Sequence, residues 1–224
     1  LKLFCGTLAL QGEEDVRPFS RVSDMQIIET ERLILRPFRE GDAADLFAYL
    51  RAPTAPCFLS LKLADLAEAE IEVRKRALDE GSVAICLKQT GQLIGDLFGG
   101  GGEDDEDGTA SVGWHLNPQF GGQGYAVEAA RVLFDHLFRA KGFRRIYAYV
   151  EDHNKPSQRL CEKLGMRREG VFVEYVSFTK DDAGNPIYEN TMQYAILRRE
   201  WLSGPASQAS NTPAAPPATP HAMR

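Results

Sequence analysis

Cysteine is scarce in this chain of 224 residues, which contains four. Cys5, Cys57, Cys86 and Cys161 stand far apart, and no pair has the Cys-x-x-Cys spacing. This spacing indicates neither a disulfide framework nor a zinc cluster. We therefore expect no metal in the protein, and we expect Cys86 and Cys161 to be buried thiols because they lie in apolar patterns.

Long apolar runs are also missing. No window approaches the roughly 18 uninterrupted apolar residues that a membrane-spanning helix needs. The first eleven residues are apolar but lack a basic leader followed by a sustained apolar run and a small-residue cleavage site, so the pattern does not favour a signal peptide. These absences predict a water-soluble protein without a membrane partner, and the cytoplasm is the expected location.

The chain has no surplus of basic residues. It carries 26 Lys and Arg against 32 Asp and Glu, for a net charge of −6, and residues 103–107 hold five of the acids. Nucleic-acid binding needs a basic footprint, so we expect no nucleic-acid partner. The acidic segment is typical of a solvated hairpin tip. If it flanked a binding groove, it would favour cationic ligands such as a protein N-terminus, a polyamine or an aminoglycoside.

Composition divides the chain into three parts. Residues 203–224 contain almost no large apolar side chain, which predicts a disordered tail. Residues 1–24 show no clear period and are interpreted as an N-terminal extension. Residues 25–202 are therefore predicted to form one domain, a normal size for a single core.

Hydrophobic periodicity switches between two and 3.6 residues along this domain. The predicted order is a strand, two helices, three antiparallel strands, a helix, a strand, a helix and two strands. Asp42 is predicted to cap the first helix, and the second helix is predicted to bury Leu66, Ala69, Val73 and Ala77. One strand-helix-strand crossover within an antiparallel meander predicts an α/β (α+β) fold. Its sheet is mixed and mostly antiparallel, with about seven strands and helices on both faces.

Three glycines mark the turn between the strand that ends near Leu116 and the long helix that starts near Gly122 and stops at Gly142. A glycine-rich turn into a helix directs free N–H groups and the positive end of the helix dipole at one point, which suits an anion such as a pyrophosphate. A P-loop is excluded because Tyr125 and Ala126 follow the last glycine, where Lys and Ser or Thr are required. The dinucleotide fingerprint also fails, because Val127 stands where its third glycine would be. A merely flexible loop is the plain alternative.

Together with three other segments, residues 29–38, 154–166 and 194–201, this turn resembles the GNAT superfamily of N-acetyltransferases, and more closely its RimJ/RimL-type branch. The matches span residues 26–201. The resemblance implies an enzyme that moves an acetyl group from acetyl-coenzyme A directly to a primary amine, on a protein N-terminus or a small molecule. It also implies that two parallel strands splay apart to form the cofactor cleft, in which the cofactor arm pairs with a strand edge.

The resemblance further implies a set of cofactor-binding residues. They are the backbone groups near Leu116, the amides of Gly122, Gln123, Gly124, Tyr125 and Ala126, and the side chains of Asn154 and Ser157. Two positions depart from the family pattern. Gly121 stands where the family has Arg, Gln or an aromatic residue, with Gln119 two residues out of phase. Cys161 stands where many members carry the tyrosine that protonates the leaving thiolate.

Ser157 is the predicted substitute for that catalytic acid, and a role in capping the helix is the alternative. Asn154 is predicted to cap the same helix. By residue type, the candidates for the general base are His115, Glu128, Glu174 and Glu189, and a chain of water molecules is a further option. Trp114 and Trp201 are interpreted as core residues. The sequence leaves the acceptor and the oligomeric state open, a homodimer included, and a non-catalytic acyl-coenzyme A sensor or scaffold is the alternative function.

Overall fold

The computed structural model describes residues 27–79, 81–101 and 108–204. The predicted N-terminal extension, the acidic segment 103–107 and the predicted tail beyond residue 204 lie outside the described residues. Within the described ranges, no helix is both long enough and apolar enough to span a membrane.

Eight strands of the described chain form one sheet, in the order β1-β2-β3-β4-β5-β6-β8-β7. Neighbouring strands run antiparallel except β5 and β6, which are parallel. The strands are β1 (Ile28–Glu29), β2 (Leu33–Arg36), β3 (Ser82–Leu87), β4 (Leu93–Gly101), β5 (Thr109–Leu116), β6 (Arg145–Glu151), β7 (Arg167–Lys180) and β8 (Pro186–Leu197). The predicted mixed, mostly antiparallel sheet is confirmed, and the strand beyond the expected seven is the two-residue β1.

Helices cover both faces of the sheet. They are α1 (Ala43–Leu50), α2 (Leu66–Leu78), α3 (Tyr125–Asp135), α4 (Lys155–Lys163) and α5 (Arg198–Ser203). A π-helical turn, His136–Ala140, extends α3 to the predicted stop at Gly142, where φ is +76°. The helix α3 begins three residues later than predicted, because Gly122 and Gly124 adopt the left-handed backbone conformation, which is not helical.

The core has two layers, one on each face of the sheet. Alternation along β3 divides its side chains between them: Val83 and Ile85 pack toward α3 and α4, whereas Ala84 and Cys86 pack toward α1 and α2. The first layer also receives Leu133 and other apolar residues of α3, which are fully buried. This two-sided packing fixes α3 and α4 against the face that carries the crossover between β5 and β6.

The predicted apolar stripe of α2 is partly wrong. Ala69 and Val73 are buried, but Leu66 and Ala77 are exposed, and Arg76 is buried next to them. The reason lies across the helix-sheet contact, where the Asp96 carboxylate on β4 is 2.9 Å from Nη1 of Arg76. A buried carboxylate needs a partner, so a charged residue takes a position that an apolar stripe would fill.

Asp42 directly precedes α1 but does not cap it with its side chain. Its carboxylate accepts two hydrogen bonds from the Arg36 guanidinium, at 2.8 and 2.7 Å, and one from the Arg39 amide. Both side chains of the Arg36–Asp42 pair are more than nine-tenths buried. The pair therefore ties the end of β2 to the start of α1.

Candidate functional site

A cleft opens between β5 and β6. Their parallel pairing covers only three positions, from Thr109 with Arg145 to Ser111 with Tyr147. Beyond these, β5 runs on to Leu116 beside β4, and β6 runs on to Glu151 beside β8. Each strand is thus held on its outer side while the inner edges separate, so the predicted splayed pair is present and backbone groups of β5 face the gap.

The walls of this cleft are mostly apolar and aromatic. Phe58 from the 3-10 helix Pro56–Leu61, Phe98 from β4 and Phe178 from β7 line it. A Cβ atom at Gly113 would lie 2.0 Å from Cζ of Phe98, so only glycine lets that ring cross β5. Glycine at this position therefore shapes the cleft.

The glycine-rich turn lies at the carboxyl end of β5 and opens α3. Gly122 and Gly124 have φ values of +76° and +84°, which L-residues with a Cβ rarely adopt. Within the described part of the chain, the amides of residues 122–126 donate no hydrogen bond. Several N–H groups at the positive end of a helix dipole make a site for an anion.

Arg32, which directly precedes β2, holds this turn from outside. Its Nε and Nη2 atoms lie 2.7 and 2.6 Å from Oε2 of Glu128, and its Nη1 atom donates to the Gln123 carbonyl at 2.9 Å. The guanidinium carbon also lies 4.6 Å from the centre of the Tyr125 ring. Sequence reasoning missed this clamp, because its members are about ninety residues apart in the chain. It fixes the conformation of the turn before any ligand binds.

The start of α4 provides the opposite wall. The Asn154 side chain accepts a hydrogen bond from the Ser157 amide at 3.2 Å, which confirms the predicted cap. The Ser157 hydroxyl instead accepts a hydrogen bond from Nε1 of Trp114 at 3.1 Å. Because its oxygen is used as the acceptor, the hydroxyl proton is left to donate to a ligand in the cleft.

Trp201 and Cys161 are core residues. Trp201 is buried against Phe134 and Phe138, as predicted. Cys161 is fully buried, and burial raises the pKa of its thiol to about 12. It is not among the residues that line the cleft, so it is a structural residue of the core. Trp114 is half-buried and packs against the same core cluster, as predicted in part, and it also lines the cleft.

None of the four side chains proposed as bases lines the cleft. His115 is buried under Phe58, at 4.1 Å between ring centres, and burial lowers its pKa. Although burial opposes the change, hydrogen bonds from Thr30 and Arg32 lower the pKa of Glu128. Glu174 is exposed on β7. Glu189 lies on β8, and its Oε2 atom is 3.5 Å from Nδ1 of His153.

Glu151 is the carboxylate that sequence reasoning missed. It ends β6, is 7% exposed, and is the one acidic residue among the described residues that line the cleft. Burial first, and then repulsion from Glu189, raise its pKa. The available signal was a charged residue at the carboxyl end of a parallel strand, where ligand sites of open α/β sheets form.

Comparison with known proteins gives one consistent result. Residues 32–167 match the family described as "Acetyltransferase (GNAT) domain". An uncharacterized N-acetyltransferase of Bacillus licheniformis, p20, is 32% identical over 183 residues, covering 79% of this chain and 99% of that protein. The uncharacterized N-acetyltransferase YnaD of Bacillus subtilis is 29% identical over 180 residues, covering 78% and 98%. A GNAT-family acetyltransferase structure from Bacillus anthracis superposes with a TM-score of 0.67 at 27% identity, covering 78% of this chain and all of that chain.

Proposed function

The chain belongs to the GNAT acetyltransferase family, and from this premise we propose that it transfers the acetyl group of acetyl-coenzyme A directly to a primary amine. We propose that it falls in the RimJ/RimL-like branch, on the pattern of the glycine-rich turn together with residues 29–38, 154–166 and 194–201. The observation that carries the proposal is the pairing of two features at the carboxyl ends of the central strands β5 and β6. One is a turn of unpartnered amides, and the other is a cleft with a serine hydroxyl on its wall.

The turn would hold the cofactor's pyrophosphate through the amides of residues 122–126. The inner edge of β5 near Leu116 would pair with the pantetheine arm, since its backbone groups on that side are not paired with β6 in the described chain. Asn154 would contact the same arm from the start of α4. The acetyl group would then lie among the side chains of the cleft.

Acetyl transfer requires a neutral amine, a stabilised oxyanion and a proton for the departing thiolate. We propose that Ser157 delivers that proton. The indole of Trp114 donates a hydrogen bond to the hydroxyl oxygen, which positions that oxygen and leaves its O–H available as a donor. Holding two reactants in place supplies much of the rate, so few side chains need to act chemically.

The proposal is tested by calorimetric titration of coenzyme A and acetyl-coenzyme A, followed by thiol release with a panel of amines and mass spectrometry of the products. Failure of the folded protein to bind either form of the cofactor would overturn it. Binding without release for any amine would instead indicate a non-catalytic acyl-coenzyme A sensor.

The role of Ser157 is tested with Ser157→Ala. We expect a lower kcat and an almost unchanged affinity for acetyl-coenzyme A, because the amides that grip the cofactor are elsewhere. Ser203→Ala, at the end of α5 where the hydroxyl bonds only to helix carbonyls, is the matched control. Turnover in Ser157→Ala equal to that of the control would remove this serine from the mechanism.

A further inference from the structure

The cleft has a chemically distinct end, formed where β6 finishes. Glu151 lies there and pairs with Thr191 on the neighbouring strand β8. The thiol of Cys57, from the 3-10 helix Pro56–Leu61, is within hydrogen-bonding reach of its carboxylate. Ser157 also lines this cleft, from the start of α4. A carboxylate and a hydroxyl thus face one cavity from the ends of two different elements.

Burying an acid in an apolar cleft is unfavourable unless something requires it there. Hydrogen bonds from its own amide and from the Cys57 thiol favour the charged carboxylate of Glu151, but burial outweighs them and its pKa is raised. Glu189, two residues before Thr191 and on the same face of the sheet, adds a second negative charge. The imidazole of His153 acts on both acids: it lowers the pKa of Glu151, and its Nδ1 lies 3.5 Å from Oε2 of Glu189. On α4, Gln158 donates to the backbone carbonyl of Glu151 and not to its carboxylate. This end of the cleft therefore favours an added cation.

The other residues that line the cleft indicate the chemistry of the rest of the ligand. Phe58, Phe98 and Phe178 contribute rings, and Tyr149 adds another from β6. Aromatic rings bury large apolar areas, so they gain most from an acceptor that carries apolar surface beside its amine. Among the described lining residues, Glu151 is the one acidic group.

Resting on the proposed function, we propose that Glu151 binds the acceptor's ammonium group and takes its proton, and that the aromatic walls select a primary amine on an apolar carrier. The ammonium N–H bond breaks and its proton passes to the Glu151 carboxylate. The free amine then forms the N–C bond with the acetyl carbon, and the C–S bond breaks. The second nitrogen proton reaches the departing thiolate through Ser157, so the products are the amide, coenzyme A and one proton that Glu151 returns to water.

The raised pKa of Glu151 suits this role, because a base works best when its pKa approaches the pH of the reaction. The raised pKa of Glu151 also allows a catalytic role to be distinguished from a role in stability. A carboxyl group whose pKa is raised by folding destabilises the folded protein at pH values above that pKa, where the buried group must be charged. Replacing it with the neutral, isosteric glutamine should therefore leave stability unchanged or increase it.

The experiment compares wild-type protein with Glu151→Gln, and Glu162→Gln, an exposed position on α4, is the matched control. Phenethylamine, n-butylamine and spermidine are the acceptors. We expect Glu151→Gln to bind acetyl-coenzyme A normally, to melt no lower than wild type, and to lose about 100-fold or more in kcat/KM. The low-pH limb of the wild-type pH profile should disappear. Glu151→Asp, which keeps the charge on a shorter arm, should recover part of the rate.

Each outcome bears on one claim. If the wild-type protein binds no cofactor, or acetylates none of the amines, the proposed function is overturned and the role of Glu151 with it. Normal binding and turnover, with Glu151→Gln as active as Glu162→Gln, would overturn only the role of Glu151. A fall in melting temperature with a proportional loss of activity would make Glu151 a structural partner of Cys57 and would also overturn it. A higher kcat/KM for spermidine than for phenethylamine would refute the apolar acceptor class.

Discussion

Gly122→Ala tests the anion-binding turn most directly. The glycine has φ of +76°, and a Cβ atom added to it would meet nothing within 4 Å. The change therefore introduces backbone strain without a steric clash. Left-handed backbone costs a residue with a Cβ about 1–2 kcal/mol. For a domain of this size, that corresponds to a fall in melting temperature of about 2–8 °C.

The strain has a functional consequence if the turn relaxes. Rotating residue 122 toward negative φ would turn an amide away from the pyrophosphate. A hydrogen bond to a charged group contributes about 1.5–3 kcal/mol. Losing one such bond should raise the Kd for coenzyme A about 10- to 100-fold. Isothermal titration calorimetry measures this change, and urea unfolding measures the stability.

Gly142→Ala is the matched control. This glycine has the same φ of +76°, and an added Cβ would again meet nothing within 4 Å. It lies beyond the other end of the α3 segment, about 25 Å from the turn at the helical rise per residue. We expect the same loss of stability and no change in Kd. Equal cofactor affinities in the two variants would refute the assignment of the turn as the pyrophosphate site.

Three further predictions concern the supporting structure. Asp42→Ala should lower the free energy of unfolding by about 3–5 kcal/mol, because it leaves the Arg36 guanidinium buried without its partner; a loss below 1 kcal/mol in urea unfolding would contradict this. Trp114→Phe removes the hydrogen bond to Ser157 but keeps an aromatic ring, so kcat should fall while the Kd for acetyl-coenzyme A stays constant; an unchanged kcat would show that the serine needs no positioning. Burial lowers the pKa of His115, so the unfolded chain binds its proton more readily and stability should fall as pH drops below about 6.5. His115→Phe should reduce that loss in melting curves at pH 7.5 and 5.5, and an identical loss would refute the assignment.

Features that depend only on neighbouring residues could be predicted from the sequence. Alternation along β3 set which side chains reach each core layer, and Gly142 and Gly165 ended helices where a left-handed residue is needed. The turn at Gly122 and Gly124 and the Asn154 cap were predictable for the same reason, since each rests on backbone geometry within a few residues.

Features that join distant parts of the chain could not be predicted in this way, because they depend on how separate elements pack. In the sequence, nothing distinguishes Glu151 from other acidic residues. Its position in the cleft depends on the separation of β5 and β6 and on Phe58, which comes from another element. Arg32 reaches Glu128 across 96 positions of sequence, and Arg76 takes an apolar position because Asp96 lies opposite. Periodicity reports whether a side chain faces inward, but the partner it meets there depends on how separate elements pack. The local pattern therefore predicted the turn for an anion, whereas the chemistry at the other end of the cleft follows from long-range packing.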